Sequence, residues 1–524
     1  MLANPPADAD ADVLERLQQM FEAAAWVLLE SALADLPADL RWLFESGAVT
    51  VEQLAALHQT LGVTSAADLA AAVREHAIRS IPGLSDTVET AVQAALPALR
   101  KTVPRITLGR AIGIADPILE RLRATPGVAW ALPAGSLRRG QETVGDIELV
   151  AAASDASSAI DDLVHLPDVV RCLHRSARRL YLRLERVQVG VRFPEPSNAG
   201  AALLNATGSA AHVAALASRA EATGWRLQAD GLYSPDGTLR PSPREEDIYA
   251  ALNLAFVPPE IRNGTDEIAA AEHGSLPRFV ARSDIRGDLH MHTDYSDGRD
   301  TVQAMVQACH ALGYEYMAIT DHSPHSAATR NLSTEAIARQ ADEIARVRAL
   351  YPDITILHGC EVDILPDGRL DFPDKILERL DIVLASLHER AGHSNDQLMR
   401  RYTAAMKHPL VTLITHPTNR LVPHRNGYDL DYDRLFETAA ETRTLVEIDG
   451  APVHLDLDGP LARRALAAGV TLAVNSDSHR AELLERQMLL GLTTARRGWV
   501  EPKHVANTRP LADVRALIAA KRGR

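Results

Sequence analysis

Cysteine is scarce in this chain: three in 524 residues, at positions 172, 309 and 360. Three thiols cannot build a disulfide framework, and a reducing cytoplasm suits them. Lysine is nearly as scarce. Five (101, 375, 407, 503 and 521) stand among 55 cations, so the other fifty are arginine. Arginine suits bidentate phosphate contacts, although a GC-rich genome gives the same bias. A basic excess is also missing. The 69 acidic residues outnumber the cations and leave a formal charge of −14. That excludes a uniformly basic nucleic-acid coat and leaves room for a local basic groove. No stretch reads as a membrane span. The longest uncharged run, 199–218, holds Asn, Thr, Ser, His and two Gly, and reads as a loop leading into an Ala-rich helix. The N-terminus, MLANPPADADADVLERL, is acidic where a signal peptide is basic.

What is present is ordinary globular material. Hydrophobic residues make up 46% and charged residues 24%. The length predicts two to four domains at roughly 100–200 residues each. After an acidic tail at 1–11, residues 12–105 carry apolar positions at three-to-four spacing and read as helical, with Ser65 as an N-cap. SIPGLS (80–85) reads as a hairpin between helices, of the kind that can turn backbone N–H groups toward a phosphate. Residues 106–256 change to an α/β texture. Residues 257–284, rich in Pro, Gly and mixed charge, are expected to form a linker. A further unit spans 285–510, followed by a C-terminal helix and tail at 511–524.

From 285 a pattern recurs about every 30 residues: a short apolar run, then a helical stretch. The runs end in DLHMHT, YMAITDH, TILHGCEVD, IVLASLH, TLITHP, TLVEIDG and TLAVNSDSH. Seven β/α units in series predict a barrel with one strand fewer than the eightfold form. The strand ends carry His290 and His292, His322, Glu361, His388, His416, and Asp477 with His479, while Asp297 follows the first strand in its loop. Residues two apart on an extended strand share a face, so His290/His292 and Asp477/His479 are each expected to chelate one ion. Nine such groups are too many for one metal and suit two or three ions such as Zn or Mn, with a carboxylate bridging.

DLHMHTDYSDG, TDH, GCEVDI, SLH, THP and NSDSH resemble the motifs of the PHP (polymerase and histidinol phosphatase) domain over about 285–510. The resemblance implies a distorted seven-stranded barrel with two or three metals that hydrolyses phosphate esters. It implies that all nine residues above are ligands, with His290, His292, Glu361 and Asp477 at the catalytic core. Such a cluster acidifies a water and neutralises phosphoryl oxygens. Arg420 and Arg425, just past His416, are candidate phosphate clamps; a solvated loop is the plain alternative. His325 and His424 read as surrounding contacts, and Cys360 as a small buried residue.

GSLRRG followed by GDIE (135–148) resembles the palm signature of family X DNA polymerases. The resemblance implies a triphosphate loop at Gly135, Ser136 and Arg139, and Mg held by Asp146 and Glu148. NATGSAAHVAALASRAEATGWRLQADGLY and VPPEIRNGTDEIAAAE resemble that family's thumb and its run into a PHP domain. Together the halves resemble the bacterial polymerase X architecture. That implies a bacterial cytoplasmic, nucleoid-associated protein whose partner is DNA at 3′ ends, gaps or nicks. The departures matter. Glu148 stands where the family has Asp. Gly190 stands where the third carboxylate belongs, Gln188 is a neutral amide, and Glu185 falls on the other face. Asn205 and Ala206 replace an aromatic pair. Mg at the palm is therefore expected to bind weakly, and nucleotidyl transfer to be lost. Residues 171–192 carry seven Arg against one Glu. Arg178, Arg179 and Arg183 are candidate phosphate contacts there, with Tyr181 and Phe193 available to stack.

The expectation from sequence is a multidomain, metal-dependent phosphoesterase acting on DNA, a 3′-5′ exonuclease or 3′-end processor in repair, with a DNA-holding palm and thumb. The alternatives are an active gap-filling polymerase with a proofreading PHP domain, a phosphatase of the histidinol-phosphate type, and a noncatalytic DNA-binding scaffold.

Overall fold

The computed structural model describes residues 38–63, 66–74, 76–102, 105–184, 187–326, 330–388 and 392–523. The readings of the tail, of the helix expected over 12–37, of the Ser65 cap and of Glu185 lie outside the described residues. Among the described residues, no helix is long and apolar enough to cross a membrane.

The helical region packs Leu40, Leu54, Leu57, Leu69, Ile78 and Val92 into one small core. Thr50 starts Val51–Leu61 with a capping box to Gln53, and Gly62 at φ +60° ends it. The expected hairpin lies between helices Ala66–Arg74 and Asp86–Thr102, with Gly83 at φ +87° in its turn.

The palm is a five-stranded sheet of β1 (Val128–Pro133), β2 (Ile147–Ala153), β3 (Val169–Arg175), β4 (Arg179–Leu184) and β5 (Val187–Arg192), in spatial order β1-β2-β5-β4-β3. Only β2 and β5 run parallel. Their register sets Glu148 opposite Gly190, and β4 sets Tyr181 opposite Gly190 on the other side. Glu148, Gly190 and Tyr181 thus form one row on one face.

The thumb core joins Leu204, Leu216, Ile248 and Tyr249 to Val257, Ile261 and Ala271. The stretch expected as a linker therefore contributes to a core. Its Arg262 is fully buried, donating to both oxygens of Glu245 at 2.7 and 3.2 Å.

The C-terminal half is the seven-stranded barrel: β6 (Gly287–Asp288), β7 (Tyr316–Ile319), β8 (Thr355–Asp363), β9 (Ile382–Ser386), β10 (Leu413–Ile414), β11 (Leu445–Asp449) and β12 (Leu472–Asn475). All neighbours are parallel and in sequence order. The strands are buried on both faces, which is why they read as unbroken apolar runs. The seam between β6 and β12 is bridged at its rim, where Met291 pairs with Ser478. Lower down, the buried Asn507 side chain donates to the Gly287 and Val474 carbonyls and accepts from the Val474 N–H. The segment after 510 is a packed helix. Val514 and Ile518 of helix Leu511–Lys521 pack under Leu289, Tyr316, Leu384 and Leu413.

Asn507→Ala should cost on the order of 3 kcal/mol, because it strands three backbone groups in the seam. The measurement is the urea midpoint. An unchanged midpoint would mean that other contacts hold the seam.

Candidate metal centre and palm site

The rim of the barrel gathers the nine predicted residues, with Glu361 at their centre. Glu361 is fully buried near the end of β8. Its Oε2 lies 2.9 Å from His322 Nδ1, 3.4 Å from His290 Nε2 and 3.6 Å from His292 Nε2. Its Oε1 lies 2.9 Å from His416 Nε2 and 3.6 Å from His388 Nε2. Asp477 Oδ1 faces His292 at 3.1 Å and His290 at 3.5 Å. Asp297 Oδ1 faces His479 at 3.2 Å and His322 at 3.5 Å. Three donor groups result: His290/His292/Asp477, His322/Glu361/His388, and His292/Asp297/His322/His479.

The orientation of the rings is fixed from outside. His290 donates from Nδ1 to Glu447 at 2.9 Å, His388 from Nδ1 to Asp363 at 3.1 Å, and His479 from Nδ1 to the Asp477 carbonyl at 3.0 Å. Each leaves Nε2 as a lone-pair donor toward the centre. The backbone is held off its usual conformations here too, with Asp477 at φ +49° and His416 at φ +25°.

These residues fit divalent cations. Ligands at about 2.0–2.1 Å from a tetrahedral metal are about 3.3 Å from one another, which matches the spacings above. His322 Nδ1 and Glu361 Oε2 are close, yet neither has a hydrogen-bond partner, as expected of donors aimed at a common point. The same groups are held to one another by charge. Burial would raise the Glu361 carboxyl, but His322, His290 and His388 outweigh it and hold it well below the usual range. Burial would lower His322, but Glu361 and Asp297 raise it to about 10; His292, buried among His322 and His479, is pushed down to about 4.

The palm site is differently furnished. Gly135, at φ +58°, and Ser136 open a one-turn helix beside Glu148. Asp146 is half-buried just ahead of β2. Glu148 is buried; burial, against the pull of Arg192, pushes its carboxyl up to about 7. A Cβ on Gly190 would meet Glu148 Oε1 and Tyr181 Cε1, both at 2.6 Å. The Arg192 guanidinium lies 3.4 Å from Glu148 Oε2 and 2.5 Å from Asp68 Oδ1, and Tyr181 donates to Asp68 at 3.2 Å. Asp68 comes from the helical region, so that region closes over the palm row.

Residues 202–263 match the DNA polymerase beta thumb family, and residues 288–449 match the PHP domain family. A DNA polymerase/3'-5' exonuclease PolX of Bacillus subtilis (strain 168) is 34% identical over 494 residues, 94% of this chain and 86% of that one. The chain belongs to the PolX family. Probable phosphatases of Thermoanaerobacter sp. (strain X514) and Acetivibrio thermocellus are 30% and 32% identical over 37% of this chain and 78% of their own.

In this PolX chain several expectations need correction. Asp477 and His479, expected as one chelating pair, fall into different donor groups. Strand β12 ends at Asn475 and the chain turns at Asp477, so Asp477 joins His290/His292 and His479 joins Asp297/His322. Arg420 donates to the His454 and Leu455 carbonyls and lies 3.5 Å from Asp458. Arg425 donates to Asn419. Arg425 braces its own loop and Arg420 ties that loop to the one after β11, where phosphate clamps were expected. Arg139 donates to the Thr207 carbonyl.

Arg171 and Arg175 of the basic strip are exposed, but the three arginines expected to contact phosphate are not free-standing. Arg178 donates to the Ala153, Ser154 and Phe193 carbonyls and pairs with Glu195. Arg179 donates to the Gly62 carbonyl at 3.2 Å, Arg192 is held as above, and Arg183 is half-buried opposite Gln188. Tyr181 and Phe193 are fully buried, so neither offers a face to a base. Arg178→Ala should therefore cost about 1–2 kcal/mol of stability and change the log-log salt slope of DNA binding by well under one unit. A drop of a full unit would restore the phosphate-contact reading.

Residues missed from sequence are Asp363, Glu447, Asp449, His454, Asp68 and Arg192. Asp363 and Asp449 carried a signal, since both end strands of the barrel. Arg192 also did, since it shares the face of Gly190. Asp68 and His454 carried none.

Proposed function

We propose that this chain is a metal-dependent phosphodiesterase that removes nucleotides from DNA 3′ ends, using Mn or Zn, and that its palm and thumb hold DNA without nucleotidyl transfer. The observation that carries the hydrolytic part is the convergence of nine donor residues, Glu361 among them, on one rim of the barrel. Divalent ions held there supply Lewis-acid polarisation of a phosphoryl oxygen and acidify a water. The chain's own residues do the rest. Glu447 and Asp363 fix the tautomers of His290 and His388, and Glu361 faces His290, His292 and His322 with one oxygen and His388 and His416 with the other.

Loss of transfer rests on the palm row. Where a third carboxylate would project from position 190, the space belongs to Tyr181 and Glu148. The cation beside Glu148 is an arginine of the chain itself. Two-metal transfer needs carboxylates free to hold ions in line with the reacting oxygens.

The DNA substrate is supported by the thumb match and by the printed function of the Bacillus subtilis relative. That name also favours a second reading, an active polymerase with a proofreading PHP domain. The phosphatase relatives keep small esters in view, and competition tests the choice. Excess duplex DNA should suppress hydrolysis of a chromogenic phosphate ester, and cleavage of a labelled 3′-recessed duplex in Mn should be the faster reaction. Fast ester turnover untouched by DNA would contradict this.

A further inference from the structure

Two donors on the rim, Asp449 and His454, lie outside the nine ligand positions. Asp449 ends β11, His454 follows in a tight loop, and both come within 4.8 Å of Asp477, ligand atom to ligand atom. Asp449 is fully buried. Its Oδ1 accepts from the Ala451 N–H at 2.6 Å, and its Oδ2 has no hydrogen-bond partner. Burying a carboxylate oxygen without a partner is costly, and a second carboxylate beside it adds repulsion. A cation relieves both.

The loop is built to hold His454 in place. His454 and Leu455 N–H groups both return to the Ala451 carbonyl, at 2.9 and 3.0 Å, with Leu455 at φ +45°. The ring stacks on His416, centroids 5.1 Å apart. Its Nδ1 donates to the Arg420 carbonyl at 3.0 Å, which leaves Nε2 as the lone-pair donor. Arg420 in turn holds the His454 carbonyl at 2.8 Å. Donation from Nδ1 also orients His290, His388 and His479 elsewhere on the rim.

We propose that Asp449, His454 and Asp477 bind one further divalent transition-metal ion, sharing Asp477 with the His290/His292 group. One imidazole and two carboxylates suit Mn or Zn. The loop that carries His454 is the one packed against the palm: Leu455 belongs to the palm core, and a Cβ on Gly109 would lie 2.8 Å from Pro452. The ion would therefore lie on the palm side of the rim. The proposal rests on the reading of the rim as a metal centre.

The test strips the full-length protein with chelator, reloads it with Mn alone and counts bound equivalents by equilibrium dialysis and elemental analysis. Asp449→Asn and His454→Gln are each expected to bind one equivalent fewer than wild type, or to bind it at least about tenfold more weakly. Equal equivalents at equal affinity in wild type and both variants would overturn the proposal while leaving the rest of the rim intact. A wild type that binds no Mn would overturn the rim reading itself. Should either variant fail to fold, crystals of wild-type protein soaked in Mn decide the matter. An anomalous peak among Asp449, His454 and Asp477 supports the site, and peaks only at the other groups refute it.

Discussion

Glu361→Gln is expected to lower phosphoester hydrolysis by about 1,000-fold, equivalent to about 4 kcal/mol of transition-state stabilisation. Among the described residues, no other side chain on the rim faces five imidazoles. Its two oxygens divide them, with His290, His292 and His322 near one and His388 and His416 near the other. An amide keeps the volume and removes the charge that holds neighbouring cations together. The variant should also retain fewer Mn equivalents, with the fold intact by circular dichroism. Activity within tenfold of wild type would remove Glu361 from the centre of the site. His290→Ala/His292→Ala together should have a comparable effect, because Asp477 then loses both facing imidazoles.

The second large expectation concerns the palm. With hydrolysis silenced by His290→Ala, no templated extension of a gapped primer should occur. Adding Gly190→Asp should not restore it. The new Cβ would stand 2.6 Å from Glu148 Oε1 and from the Tyr181 ring, and 2.9 Å from Tyr181 Cζ. Tyr181 is anchored to Asp68 and Arg192 is paired to both acids, so neither yields cheaply. The expected outcome is a loss of about 1–3 kcal/mol in stability and still no incorporation. Robust nucleotide incorporation by the His290→Ala protein, lost on Asp146→Ala, would promote the polymerase reading.

The barrel was legible because its strands are short, apolar and closed by polar residues of one chemical kind. The period of strand and helix located the rim, and the rim located the ligands. What two-residue spacing could not show was the turn at Asp477, which splits it from His479. The palm was legible as far as the row Glu148–Gly190, since strand alternation fixes a face. The filling of that row was not, because Asp68 lies 124 positions from its partner Arg192. Charge density misled at 171–192. Arginines on a sheet edge look like a track for phosphate in sequence, yet Arg178 and Arg179 serve carbonyls of neighbouring segments. Composition misled at 257–284 in the same way. Pro and Gly there shape a packed connection, with Val257 and Ile261 inside the thumb core.

One measurement bears on both halves at once. A 5′-labelled primer in a gapped duplex is incubated with Mn and all four nucleotides, using wild-type and Glu361→Gln protein. The expected result is a ladder of shortened primers from wild type and an unchanged primer from Glu361→Gln. Extended primers from Glu361→Gln would contradict it.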